Sequence, residues 1–162
     1  MKFWITICAI LICGPAAALS CLQPNIAEAF NRFDAAPESY AIAVGRVSVP
    51  KSGIPGYREG KPRRASGQFV GRYLGRFGLG VEVRQKISVQ TQCVAHWCGG
   101  FPGGDQVMIM FLRLGKGARV LDMPACPSGG FVPETPKALE LMQRCLKRGR
   151  CTKAEEAAWR RR

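Results

Sequence analysis

The feature that most constrains this chain is where its eight cysteines stand and which of them stay with it. Thiols are kept reduced in a cytosol and become oxidised outside one, so the compartment decides what a cysteine can do. The chain opens MKFWITICAILICGPAAALSC, with Lys2, an apolar run from Phe3 to Cys13, a Gly-Pro break and small residues. This pattern predicts a secretory signal peptide over residues 1–20, with Ala18 and Ser20 at the small positions before a cut at Cys21. An apolar run of about a dozen residues is too short for a membrane span, which needs roughly 20, and no transmembrane segment is expected in the mature chain. A secreted or periplasmic location follows. Cys8 and Cys13 leave with the leader, and Cys21, Cys93, Cys98, Cys126, Cys145 and Cys151 remain. Six cysteines can pair completely, in 15 possible ways. Acylation of Cys21, as in a lipid-anchored protein, is the alternative; it would leave five and strand one.

Removing 20 residues from 162 leaves 142, one domain by length, with enough chain to build a core that the bridges reinforce. Of the 24 Lys and Arg only Lys2 leaves, so the mature balance is 23 against 11 acids, or +12. A negatively charged partner fits that sign. Nucleic acid, glycan, lipid and acidic protein all satisfy it, and oligomeric state is not encoded in it.

Hydrophobic periodicity then divides the chain. Ile26, Ala29, Phe30 and Phe33 recur at helical spacing behind Asn25, a ready N-cap. Tyr40, Ile42 and Val44 alternate as in a strand, but Val47 and Val49 resume on the opposite parity, which predicts a bulge at Gly45. Residues 50–67, rich in Pro and Gly, read as a long exposed loop. The stretch QFVGRYLGRF reads as a strand bent at its glycines. Residues 81–92 are the clearest strand, with Val81, Val83, Ile87 and Val89 on a buried face and Glu82, Arg84, Lys86, Ser88 and Gln90 on a wet one. VMIMFLRL is apolar on both parities, a central strand, and ARVLDM after the Gly-Lys-Gly turn makes a fifth. Thr135-Pro136 starts a helix with Leu139, Met142 and Leu146 on the face that docks on the sheet, ending near Gly149. Thr152 and Glu155 form a capping box for a short basic C-terminal helix or tail over 152–162.

TQCVAHWCGG, residues 91–100, places Cys93, the only histidine, His96, and Cys98 within six positions. Zinc would need a fourth ligand, and Cys-x2-His-x-Cys is not a standard finger spacing. An envelope enzyme using Cys93, His96 and Cys98 would need a free thiol and an orienting partner for the base. Covalent stapling is the preferred reading, with no catalytic centre, no metal and no cofactor expected.

The order of elements, Cys21 with Pro24, AIAVGRV as the first long strand, Cys98-Gly99 after the third and Cys126 closing the fifth, resembles the netrin-like branch of the OB-fold, the fold of the tissue inhibitors of metalloproteinases. The resemblance spans residues 21–151 and implies a mainly β, five-stranded OB-fold-like barrel with a short N-terminal helix, C-terminal helices and disulfide staples, in a divergent bacterial-type member. It implies a Cys21–Cys98 bridge; Cys93 then falls near Cys126, and Cys145 and Cys151 flank the helix end and close locally. It also implies a protein partner, a metalloproteinase, met by Cys21 and Leu22, the first through its amine and carbonyl and the second through an apolar side chain. The chain departs from the family in carrying Gln23 in place of a second cysteine and Leu22 in place of a small hydroxylated residue.

The expected function is thus that of an exported, non-catalytic binding module. The alternative to a protein partner is an anionic polymer or lipid head group held by Arg58, Lys61, Arg63, Arg64, Arg72 and Arg76, in a segment where seven basic residues from Lys51 to Arg76 face Glu59 alone, with Tyr57 or Tyr73 as a flat surface for stacking.

Overall fold

The computed structural model describes residues 21, 23–49, 63–94, 97–100, 105–126 and 130–160. The expected leader, Leu22, Tyr57, Arg58, Lys61 and His96 lie outside these residues.

Asn25 starts helix α1 (Ile26–Asp34), its side-chain oxygen accepting from the amides of Ala27 and Glu28. Three long strands follow, β1 (Tyr40–Ser48), β2 (Arg63–Gly75) and β3 (Gly78–Thr91), then a small hairpin of β4 (Cys93–Val94) and β5 (Trp97–Cys98). Strands β6 (Met108–Leu114), β7 (Arg119–Met123) and the short β8 (Phe131–Pro133) lead into α2 (Pro136–Arg148) and α3 (Lys153–Arg160). Thr135 caps α2 at its start, and Gly149, with φ 81°, ends it in the left-handed conformation glycine tolerates best.

β1 pairs with β2, β2 with β3, β3 with β7, β7 with β6 and β6 back with β1, so five strands close a barrel; only the β3–β7 ladder is parallel. This is the OB-fold-like barrel expected, with one helix before it and two after. The second edge of β6 is shared, β7 taking residues 112–114 and β8 taking 108–110. Two cores result. Ala43, Val47, Phe69, Ile87, Val89, Met110, Leu112 and Leu121 fill the barrel. Ile42, Val44, Ile109 and Phe111, on the other face of β1 and β6, meet Ile26 and Phe30 of α1 and Leu141 and Met142 of α2. β6 is apolar on both parities because it is covered on both faces.

The same geometry corrects the bulge expected at Gly45. The β1–β2 register runs unbroken from Ile42↔Leu74 to Ser48↔Gln68. Ile42 and Val44 face the helices while Val47 and Val49 belong to the barrel side, so the change of parity marks where the helix layer stops, not a kink. Gly45 pairs with Gly71 for a steric reason: a Cβ on Gly71 would stand 2.2 Å from the Val44 carbonyl oxygen and 2.8 Å from the Phe69 ring. The one register shift on this side lies between Arg72 and Leu74.

Three other expectations change. β2 begins at Arg63, so Arg63 and Arg64 are strand residues and not part of the loop. Val81 is 81% exposed; the buried face of β3 begins only at Val83. The bridges are Cys21–Cys126, Cys93–Cys98 and Cys145–Cys151, of which only the last pairing was anticipated. Cys93 and Cys98 stand directly opposite each other in the β4–β5 ladder, with Cα atoms 4.0 Å apart, so the hairpin closes on itself and Cys126 is left to Cys21. That hairpin packs on the end of β7: the Gly99 amide donates to Gln92, the Gln92 amide donates to Met123, and a Cβ on Gly99 would strike the Met123 oxygen at 2.2 Å.

The helices are tied to one another by polar groups. The Asn31 amide group donates to the Cys151 carbonyl at 3.0 Å and to the Glu156 carboxylate at 2.7 Å, while its oxygen accepts from the Cys151 amide at 2.9 Å. Asn25 donates to the Glu156 carbonyl, and the Trp159 indole donates to Pro24. α3 is therefore docked on α1. Among the described residues no helix is long and apolar enough to cross a membrane.

Candidate functional site

Alternation from Arg63 to Arg72 in β2 and from Val83 to Thr91 in β3 sends odd residues to the barrel and even ones outward. Five successive outward rungs pair Arg64 with Gln90, Ser66 with Ser88, Gln68 with Lys86, Val70 with Arg84, and Arg72 with Glu82. Four of the five carry a cation. Rungs two residues apart lie about 7 Å from each other, the scale of one monomer in an extended nucleic acid or glycan. Among the described residues no salt bridge joins Arg64, Arg72, Arg84 or Lys86 to a carboxylate.

The first of these rungs form a groove of about 420 Å³, lined by Arg64, Ser66, Lys86 and Ser88 and by Gly117 and Ala118 of the turn between β6 and β7. That turn closes with the Gly115 amide donating to Ala118 at 3.1 Å, and Gly117 adopts φ 85°, a left-handed position. Lys116 is exposed beside it. Cations at both ends, a pair of hydroxyls between them and a backbone wall make a surface that can hold an acidic group and hydrogen-bond its neighbours.

The residues expected to bind anions are thus divided. Arg64 and Arg72 lie on this face, and Arg76 lies exposed in the turn joining β2 to β3. Arg63, half-buried opposite Thr91, belongs to the other face of β2. Tyr73 is not the stacking surface expected. Its ring lies beneath the Arg119 guanidinium, 4.9 Å from the centroid, and against Phe69, and its hydroxyl accepts from Gln85. Burial pushes that hydroxyl above its ordinary pKa, with Arg119 and Gln85 pulling against it. Lys116 was missed, because a Gly-Lys-Gly turn reads only as a connection until the barrel brings it beside β2 and β3. Arg84 and Lys86 were legible as a wet face, but not that Lys86 lines a groove with the β6–β7 turn.

The N-terminal edge is arranged differently. Cys21 is exposed and bonded to Cys126, and Pro24 is held by Trp159. The motif that held the only histidine has become a closed hairpin in which Cys93 and Cys98 share one bond, and a sulfur so bonded is neither a thiolate ligand nor a nucleophile. Two further hollows flank Phe33 and Tyr40 beside α1; their walls are core aromatics and the Arg113–Asp122 ion pair, closed by two hydrogen bonds of 2.8 and 3.0 Å.

Set against models of protein families, curated proteins and solved structures, the chain matches none.

Proposed function

We propose that this chain is an exported binding module that holds an extended polyanion across the outer face of β2 and β3. The observation that carries the reading is the run of cationic rungs, Arg64, Lys86, Arg84 and Arg72, none of them salt-bridged among the described residues and two of them lining a groove walled by the β6–β7 turn. Barrels of this kind offer this face and the adjoining loops to oligonucleotides and oligosaccharides. The three bridges support the export reading, since such bonds persist in oxidising compartments.

The test is titration with heparin and with a single-stranded oligonucleotide over a range of salt. The Arg64→Ser/Lys86→Ser double variant should bind either polymer at least about tenfold more weakly and lower the salt slope by roughly 0.7 for each charge removed. Equal affinity and slope for variant and native protein would sink the reading; a difference between the two polymers identifies which backbone the face prefers.

One observation supports the metalloproteinase reading as a second: exposed Cys21 is fixed to Cys126, three residues beyond Met123, against which the Cys93–Cys98 hairpin packs. An N-terminal wedge would thus rest on a braced end of the barrel. It requires an unmodified Cys21 amine, so mass spectrometry of the mature N-terminus and inhibition assays on zinc proteases with Leu22→Gly decide it. Acylated Cys21, or no inhibition by protein with a free amine, ends it.

A further inference from the structure

The turn joining β2 to β3 is Gly75-Arg76-Phe77-Gly78, a hairpin with two central residues. Such turns ordinarily carry Asn, Asp or Gly at their centre, for backbone reasons, and gain nothing from an aromatic ring. Phe77 is nevertheless there and fully exposed, at 103% of its reference area, whereas Phe30, Phe69, Phe111 and Phe131 are all buried. Leu79 is 38% exposed and Val81 81%, so three large apolar side chains face solvent within five residues of one hairpin. A residue choice that helps neither turn nor core, and places apolar surface in water, marks a contact surface.

The charges around the tip say what covers it. Arg76 is in the turn itself, and Arg72 and Arg84 lie on the adjoining strands, with Glu82 as the one nearby carboxylate on the hairpin. A second copy docked tip to tip would bring two such sets of arginines together and repel. An anionic bilayer meets both halves of the pattern, its acyl region accepting Phe77, Leu79 and Val81 and its phosphates accepting the guanidinium groups. We propose that the β2–β3 hairpin tip inserts into anionic lipid surfaces. Measured along β2, the tip is 11 residues from Arg64, roughly 35 Å of strand, so the groove at Arg64 and Lys86 lies clear of the tip, and only Arg72 and Arg84 are common to the two surfaces. The proposal does not depend on the groove having a ligand.

Co-sedimentation of the disulfide-bonded protein with vesicles of phosphatidylcholine, with and without a third phosphatidylglycerol, tests it. The native protein should partition onto the anionic vesicles and much less onto the neutral ones. Phe77→Ser/Val81→Ser should lower that partition at least about tenfold, by the loss of two apolar side chains from the interface. Arg76→Ser should lower it about fivefold. As these positions are exposed, the variants should keep the native melting temperature, and Phe77→Ser/Val81→Ser, which removes no charge, should keep the native elution from heparin, which separates failure of the tip from failure of the groove. Phe77→Trp supplies a positive signal, a blue-shifted emission on anionic vesicles alone. Equal partition of native protein and the Phe77/Val81 variant, or no partition of the native protein, overturns the proposal. So does a native dimer that the same variant dissociates, which would assign the tip to a second copy.

Discussion

The helical side of the molecule and the β2–β3 side use the same basic residues to opposite ends. On the helices four cations are matched, Arg144 with Glu140, Arg144 and Arg148 with Glu155, Lys153 with Glu156, and Arg160 with Glu28, while Lys137 and Lys147 have no salt bridge among the described residues. On the outer face of β2 and β3, four cations have one acid among them, Glu82, and no salt bridge among the described residues. A basic composition is therefore not a uniform property of this surface. The helical charges hold secondary structure together, whereas the strand charges are left for something outside the chain.

Stability measurements can break that division, and the bridges should show the largest effects. In the chain-entropy description a bridge stabilises in proportion to the logarithm of the loop it closes. Cys21–Cys126 spans 105 residues, and its loss through paired serine substitutions should cost about 4 to 5 kcal/mol in denaturant unfolding. Cys145–Cys151 spans 6, and its loss should cost about 2 kcal/mol. If both cost the same, loop closure is not what these bonds contribute.

Asn31→Ala comes next. It removes two hydrogen bonds to the Cys151 backbone and one to the buried Glu156 carboxylate, and should cost about 2 to 3 kcal/mol by thermal or chemical unfolding. A cost near zero would mean that α3 is held by apolar contact alone, and that the polar matching on this side is incidental.

A smaller effect should appear in acid. The bond to Arg148 and the Thr152 amide and hydroxyl hold Glu155 at about 2, against an ordinary value of 4.5. A carboxylate whose folded value is depressed gives its full stabilisation above 4.5 and loses it as pH falls toward 2. Glu155→Gln should therefore flatten the loss of stability between those values. Glu156, lowered first by Lys153 and also by Asn31, acts in the same direction. The smallest effect belongs to the other side: Arg64→Ser and Lys86→Ser should each change stability by less than about 0.5 kcal/mol. A larger loss from either would show that the strand cations serve the fold after all.

The sequence showed most of what is local. Asn25 and Thr135 announced their helices because a capping side chain acts within three residues, and the alternation from Val83 to Gln90 announced a strand with one wet face. What it hid was whatever depends on closure. The parity change after Val44 resembles a bulge unless one knows where the helix layer stops. Cys93 and Cys98 bond because β4 and β5 pair, while the resemblance implied partners elsewhere. Gly117 and Ala118 wall the groove, with Lys116 exposed next to them, only once the parallel β3–β7 ladder sets the β6–β7 turn beside β2 and β3. Phe77 lies at the end of the stretch QFVGRYLGRF, read as one bent strand, since sequence does not say that a ring has reached the tip of a hairpin.

The glycine pair beneath Phe69 acts as a key for assembly. A slip of β2 by one position against β1 would take Gly71 from beside Gly45 and put a side chain where the two backbones now touch. The cost would fall at once, before the remaining strands are in place, and only the native alignment escapes it. Two residues without side chains thereby exclude the mispaired hairpins that a barrel cannot close upon, and the information for its last ladder is already present in its first.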